Sequence, residues 1–218
     1  MADLIAHRPS FIQGRERDEQ RAMAAPGLWL VWMTAAALVV AAGVVGLTAW
    51  SVTHRVPGDR SAEADFARDM STHHAQAVQM AMLMPDRTND PAIRLLAQDI
   101  ALTQQNQIGQ MLGWLDLWKL SLTGSEPAMQ WMGHPSDGPL PGMATSDEIS
   151  QLGALSDVEA DLVFLRLMIR HHEGGAPMAQ AILDRSHDPV VRQLATSIVA
   201  SQTAEVKTMK EMLAAKGG

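Results

Sequence analysis

The longest hydrophobic pattern in the chain is an uninterrupted apolar run over residues 28–52. As a helix, these 25 residues extend about 37 Å, enough to cross a hydrocarbon core of about 30 Å. Trp29, Trp32 and Trp50 lie near its two ends, where interfacial aromatic residues are enriched. A signal peptide is the alternative, but its apolar core usually has only ~7–15 residues before a small-residue cleavage site. We therefore predict an uncleaved transmembrane anchor.

The charges on either side of this run favour one membrane orientation by a small margin. Residues 1–27 hold four arginines and four acidic residues, and Arg55, Arg60 and Arg68 follow the run. Positively charged segments tend to stay on the cytoplasmic side of a membrane. We predict a single-pass protein whose N-terminus is cytoplasmic and whose remaining chain is extracytoplasmic.

After the apolar run, the sequence repeats itself. Residues 59–115 align with residues 157–213 at an offset of 98 without a gap, and 20 of the 57 pairs are identical. A repeat of this kind indicates two copies of one supersecondary unit.

Each copy has the hydrophobic pattern of a helical hairpin. In the first copy, apolar residues recur at helical spacing from Phe66 to Met84, as on one face of a helix. The polar segment 85–90 interrupts this pattern, and Asp90 followed by Pro91 is typical of a helix start. Two amphipathic hairpins bury their apolar faces best against each other. We therefore predict an all-α fold, a pseudo-twofold four-helix bundle.

A segment rich in Gly, Pro and Ser joins the two copies, and a short helix is predicted within it at 146–154. Structureless loops of this length are uncommon in compact domains, so we expect the segment to pack along the bundle. The predicted domains are a polar N-terminal segment (1–27), the anchor (28–52), a linker (53–61) and the bundle (62–218), which consists of hairpin one (62–119), the crossover (120–157) and hairpin two (158–215).

Composition narrows the chemistry. The chain has no cysteine, which excludes disulfides, thiolate metal sites and a thiol nucleophile. Its net charge of −7 argues against nucleic-acid binding, which relies on clustered Lys and Arg. A di-iron carboxylate enzyme would need Glu-x-x-His motifs, and the sequence has none. We therefore expect no catalytic activity, with metal-dependent oxidoreduction as the alternative.

Both copies carry the same cluster of Phe, Met, His-His and Met, in DFARDMSTHHAQAVQM (65–80) and VFLRLMIRHHEGGAPM (163–178). Imidazole suits copper, zinc, iron or nickel, and thioether selects soft ions, above all Cu(I). Adjacent helical residues differ by about 100° in direction, so we predict that His73 and His171 point into one core layer while their neighbours flank it. The predicted metal ligands are Met70, His73, His74, Met80, Met168, His171, His172 and Met178.

An ordinary structural role is the alternative for these residues. A methionine on an apolar helix face is usually core filler, and a single buried histidine is usually a hydrogen-bonded core residue. The same two interpretations, copper capture or ordinary loop, are open for the crossover residues Met129, Met132, His134 and Met143.

The two M-x-x-H-H blocks, LPGMATSDEISQL (140–152) and FLRLMIRHHEGGAPMA (164–179) resemble the family known as domain of unknown function 305, over roughly residues 62–215. The resemblance implies a ferritin-like four-helix architecture in an exported or membrane-anchored bacterial protein, and copper binding in some members. It supports copper at the eight ligands above. The chain departs from the family pattern at Gly174, Gly175, Pro177 and at Gln107, where an acidic residue is more usual, so the equivalence of the two half-sites is open.

Two functional hypotheses follow. In the first, the protein is a membrane-anchored copper-binding protein, with zinc or iron as alternative metals. It would sequester the ion or transfer it, and its partners would be membrane lipid and a copper-accepting protein. In the second, it is a structural or accessory subunit of a larger membrane complex, and the histidines are buried hydrogen-bonding groups.

Overall fold

The computed structural model describes the backbone of residues 26–53 and 56–218, and the side chains of residues 27–48 and 56–218. Within these ranges the chain is all-α, with six α-helices and no β-strand. It divides into two compact units between residues 55 and 56. Most of the predicted N-terminal polar segment lies outside the described residues.

The first unit contains one long apolar helix, α1 (Pro26–Thr53). The side chains of residues 27–48 are all exposed. Thr34 and Thr48 donate their hydroxyls to backbone carbonyls three residues earlier, so these polar groups are hydrogen-bonded within the helix. Gly27–Thr48 is long and apolar enough to cross a membrane, a criterion of length and composition that a signal sequence near an N-terminus also meets.

The second unit consists of two helical hairpins joined by a long crossover. Its helices are α2 (Ala62–Leu83), α3 (Pro91–Leu117), α4 (Ser146–Ala154), α5 (Asp157–Leu183) and α6 (Pro189–Ala215). Helix α2 packs along α3, α5 packs along α6, and the hairpins meet through α2 and α5. The all-α class is therefore confirmed, and α4 is the short helix predicted in the crossover.

The second helix of each hairpin begins in the same way. Asp90 accepts hydrogen bonds from the first backbone N–H groups of α3, and Asp188 does the same for α6. A proline follows each aspartate at the first helical position, where its missing N–H is not needed. Each cap contributes about 1 kcal/mol of stability. The repeat thus fixes where both helices start.

The core of the second unit has two hydrophobic clusters. One joins the C-terminal half of α2 to the N-terminal half of α5 and includes Met80 and Met168. The other joins the N-terminal half of α2 to the C-terminal half of α5 and includes Met70 and Met178. Helices α2 and α5 therefore run antiparallel to each other, and the repeated histidines lie on them between the two clusters.

The crossover packs against the helices, as expected. Asp69 of α2 accepts hydrogen bonds from the backbone N of Met129 (2.8 Å) and from Nε1 of Trp131 (2.9 Å). The Gln76 amide binds both the N–H and the carbonyl of Ala144, at 2.6 and 2.9 Å. These contacts hold the segment that precedes α4 beside the middle of α2, next to the histidines.

Candidate metal centre

The four repeated histidines form one buried layer. His73, His74, His171 and His172 all have no exposed surface. The rings of His73 and His171 lie tilted against each other between α2 and α5, with centroids 3.7 Å apart and planes 35° apart. His74 and His172 turn instead toward the second helix of their own hairpins. In each adjacent pair, one histidine therefore points to the interface between the hairpins, and the other points into its own hairpin.

Every one of these histidines uses Nε2 for a hydrogen bond. His73 Nε2 donates to the carbonyl of Pro141, and His171 Nε2 donates to the carbonyl of His73, both at 2.9 Å. His74 Nε2 donates to Gln107 Oε1 at 2.7 Å, and His172 Nε2 donates to a carboxylate, Oε2 of Glu205, at 2.6 Å. Because carbonyl and carboxylate oxygens only accept, Nε2 carries the proton and a neutral ring keeps its lone pair on Nδ1.

The four Nδ1 atoms are buried without a hydrogen-bond partner, and so are both amide atoms of Gln104 and Gln202. In the part of the chain with described side chains, these eight atoms belong to a set of ten such buried polar atoms. An unsatisfied buried polar group costs about 1–3 kcal/mol, and folded proteins keep few of them. The four Nδ1 atoms share one buried layer, and this layer is therefore the candidate metal site.

Burial also favours the neutral form of three of these imidazoles, those of His73, His74 and His171. Removal from water lowers the pKa of His73 to about 4 and the pKa of His74 to about 3. It lowers the pKa of His171 well below the ordinary histidine value, with a further contribution from the neighbouring histidines. Neutral imidazole is the form that binds metals, because protonation of Nδ1 would remove the lone pair.

Two glycines of α5 make room for this layer. A Cβ atom on Gly175 would lie 2.7 Å from Gln202 Oε1 and 2.9 Å from His73 Cε1, closer than side chains tolerate. A Cβ atom on Gly174 would collide with the carbonyl oxygen of Pro141, which accepts the His73 hydrogen bond. The Gly-Gly pair that breaks the repeat therefore lets α2, α6 and the crossover approach α5. Helix α5 continues through Pro177 to its end.

The predicted thioether ligands lie on both sides of the histidine layer. All four are fully buried, with Met70 and Met178 in one cluster and Met80 and Met168 in the other. Across the described side chains, no group of three or more His, Asp or Glu residues is arranged to hold a metal ion. Imidazole alone therefore does not complete a site, and a metal in this layer would need thioether or amide ligands as well.

Some residues of the layer have a signal in the sequence and others have none. Gln104 and Gln202 are identical residues of the repeat, and Gln107 aligns with Glu205. The hydrogen bond from His74 to Gln107 in one hairpin has its equivalent in the hydrogen bond from His172 to Glu205 in the other. No residue type in the sequence indicates that the backbone carbonyl of Pro141 accepts a hydrogen bond from His73.

Of the four crossover candidates, three pack against the apolar core and one is exposed. Met129 is buried and Met132 and Met143 are half-buried against the cluster that contains Met70, whereas His134 is exposed. None of them is hydrogen-bonded to a layer histidine.

The two hairpins bury a shared layer of imidazoles and amides. The protein is therefore an all-α protein with a His- and Met-rich core. Residues 63–213, more than half of the chain, match the family model described as Domain of unknown function (DUF305), and the chain belongs to this family.

Solved structures of similar proteins cover the bundle. A candidate secreted DUF305 protein of Streptomyces coelicolor is 47% identical with a TM-score of 0.69, covering 72% of this chain and 95% of that chain. A DUF305 fragment of Deinococcus radiodurans is 35% identical with a TM-score of 0.62, covering 72% and 99%. CopM in its Cu(I)-bound form is 26% identical with a TM-score of 0.55, covering 72% and 98%. CopM has also been solved in Cu(II)-bound and Ag-bound forms.

A shorter match connects the chain to an uncharacterized protein of Acanthamoeba polyphaga mimivirus. The two are 40% identical over 58 residues, which is 27% of this chain. The match spans 38% of the length of that relative.

Proposed function

We propose that this protein is a membrane-anchored, extracytoplasmic copper-binding protein that sequesters Cu(I) or passes it to an acceptor protein. One observation carries the proposal: four buried imidazoles have Nε2 fixed by an acceptor and Nδ1 without a partner. Metal-binding histidines usually donate their other ring N–H to a carbonyl or carboxylate in this way. The ligands would come from Met70, His73, His74, Met80, Met168, His171, His172 and Met178.

The chemistry of this set favours a soft ion. Thioethers select Cu(I) over Zn(II) or hard cations, and the chain offers no thiolate. The similarity to CopM, which binds Cu(I), Cu(II) and Ag, supports the same assignment. Zinc and iron are the alternative metals, because imidazole also suits them.

The remaining parts of the proposal rest on other features. Helix α1 would anchor the chain in membrane lipid, with the bundle on the outer side. A role in holding or transferring copper requires no catalytic turnover, so we propose no enzyme activity and no nucleic-acid partner. The physiological partner would be a protein that accepts copper from the bundle.

The test is an anaerobic Cu(I) titration of the full chain in detergent micelles, in competition with a colorimetric Cu(I) chelator. The wild-type chain should retain copper, and the His73→Ala/His171→Ala double variant should lose it. The control is His134→Ala, because His134 is exposed and lies outside the layer. It should bind copper as the wild type does.

A Met70→Leu/Met168→Leu double variant keeps the core volume and removes only thioethers, so it covers the case in which the histidine variant does not fold. It should also weaken Cu(I) binding. A folded wild-type chain that retains no copper against the chelator would overturn the proposal, and so would unchanged binding by both double variants.

An accessory role in a membrane complex is the second candidate. One surface observation favours it: a mainly apolar groove on the outside of hairpin one, with Met82 and Leu102 exposed at its edge. Purification of the tagged full chain in mild detergent tests it. Stoichiometric recovery of larger membrane proteins, lost in a Met82→Glu/Leu102→Glu variant that still folds, would support this role, and recovery of the chain alone would reject it.

A further inference from the structure

The two halves of the histidine layer differ in the group that holds the outer histidine. His74 of hairpin one donates to the neutral amide of Gln107, whereas His172 of hairpin two donates to the carboxylate of Glu205. The two pairs occupy equivalent positions in the repeat, and the histidines are equally buried. The repeat is therefore symmetric in its imidazoles and asymmetric in charge.

Glu205 brings a formal negative charge into direct contact with the layer. The other three acceptors of the histidine N–H groups are the neutral oxygens of Pro141, His73 and Gln107. The Glu205 side chain is only 22% exposed, so water screens its charge incompletely. A monovalent cation bound beside His172 would bring the formal charge of that half close to zero. A second cation beside His74 would have no such counter-charge, and the first cation would repel it.

The carboxylate also strengthens the ligand itself. A hydrogen bond from a ligating imidazole to a carboxylate makes the ring a better electron donor and fixes its orientation. An amide acceptor does this less, because it carries no charge. Both effects act on the same half of the layer, so they add.

We infer that the protein binds soft monovalent cations in two unequal steps, with the half that contains His172 filled first and Glu205 as the positioning residue that sets the difference. The inference rests on the proposed function, because it concerns how the same layer is filled. Gln107 then makes the half that contains His74 the weaker and more readily exchanged one.

The experiment exchanges the two acceptors. Ag(I), a redox-stable soft monovalent cation, is titrated into the full chain in detergent micelles for the wild type, Glu205→Gln and Gln107→Glu. Both substitutions are nearly isosteric. Removal of a group that accepts a hydrogen bond from a metal-ligating histidine costs about 10–100-fold in metal affinity. We expect Glu205→Gln to weaken the first step by about this factor, and Gln107→Glu to strengthen the second step by a similar factor.

Glu173→Gln is the matched control. Glu173 adjoins His172 in sequence, but it is half exposed and paired with Lys210 at 2.6 Å, so its charge is screened. Its loss should change either step by less than about twofold. Nitrogen-15 NMR of histidine-labelled protein gives an independent readout: the Nδ1 signal of His172 should shift with the first equivalent of Ag(I), and that of His74 with the second.

The outcomes separate the inference from the proposed function. Wild-type protein that binds no Ag(I) and no Cu(I) would overturn both. Two equal steps in the wild type, or a first step that Glu205→Gln leaves unchanged, would overturn the inference and leave copper binding intact. A first NMR shift at His74 instead of His172 would also overturn it.

Discussion

His73 and His171, equivalent residues of the two repeats, lie with their ring centroids 3.7 Å apart, and Nε2 of His171 donates to the backbone carbonyl of His73. The two hairpins therefore contact each other through equivalent histidines. Because the repeat places one such histidine in each copy, the interface contains two of them. The repeat itself thus concentrates imidazoles in one layer. The same arrangement excludes water from the rings and leaves their Nδ1 atoms unpartnered.

Close approach at this interface depends on Gly175. Gly175→Ala should lower the free energy of unfolding by about 1–3 kcal/mol, because the added methyl group overpacks against Gln202 and His73. Gly109→Ala in α3 is the control: nothing lies within 4 Å of its Cβ position, so it should stabilise the helix by about 0.5–1 kcal/mol. Urea unfolding of the metal-free chain measures both. Equal effects of the two substitutions would show that the approach of His73 to α5 is not tight.

Local signals in the sequence predict the elements well. Asp90-Pro91 and Asp188-Pro189 mark the starts of α3 and α6, and Thr145 with Glu148 forms a capping box at the start of α4. These signals work because helix caps are short-range interactions between a side chain and the next few backbone groups. The repeat adds the pairing of equivalent helices.

Contacts between distant segments are what the sequence does not predict. The acceptor of His73 is the backbone carbonyl of Pro141, 68 residues away. Because every residue has a backbone carbonyl, the sequence does not indicate which one accepts this hydrogen bond. The methionines illustrate the second limit. Antiparallel α2 and α5 bring Met70 into one cluster with Met178 and not with its repeat equivalent Met168, and only the packing direction decides this.

The segment that carries the Pro141 carbonyl is held by Gln76. Gln76→Ala removes two hydrogen bonds to Ala144 and should destabilise this segment by about 1–3 kcal/mol, because each bond contributes about 0.5–1.5 kcal/mol. Hydrogen exchange at the Ala144 amide should become faster by about 5- to 150-fold, which is the same free energy expressed as a ratio of opening constants. Exposed Gln79, on the same helix, provides the control in Gln79→Ala. Unchanged exchange at Ala144 in Gln76→Ala would mean that other contacts hold the crossover.

The C-terminus ties the two hairpins together through Lys216. Its Nζ lies 2.6 Å from Asp90 of hairpin one and 2.9 Å from Asp161 of hairpin two, and Asp161 is 2% exposed. Lys216→Met leaves the buried carboxylate of Asp161 without its cation. We expect a loss of about 3 kcal/mol in unfolding free energy, the low end for a broken buried ion pair because Asp90 is 31% exposed.

Lys207→Met is the control for this change. Lys207 is 81% exposed and lies 3.9 Å from Glu211, so its loss should alter stability by no more than about 0.5 kcal/mol. Denaturant unfolding of both variants gives the comparison. A Lys216→Met variant as stable as Lys207→Met would show that Asp161 does not need the ion pair.

Acid should destabilise the metal-free protein through its buried histidines. In the folded chain, burial lowers the pKa of His73 to about 4 and of His74 to about 3, and lowers the pKa of His171 in the same direction. In the unfolded chain these groups titrate near 6.5. The unfolded state therefore binds more protons between about pH 6.5 and pH 4, and stability falls as the pH falls. Each histidine contributes about 1.4 kcal/mol per pH unit in this window, or about 4 kcal/mol for the three.

Urea unfolding of the full chain at pH 7, 6 and 5 measures this slope. His74→Gln removes one of the three titrating groups, so the slope should decrease by about a third even if the variant is less stable at every pH. His134→Gln removes an exposed histidine and should leave the slope unchanged. A slope that is the same in all three proteins would mean that His74 takes up its proton while the chain is folded, and that the layer admits water at neutral pH. In that case, its imidazoles would be poorly protected metal ligands, because protons would compete with the cation for Nδ1.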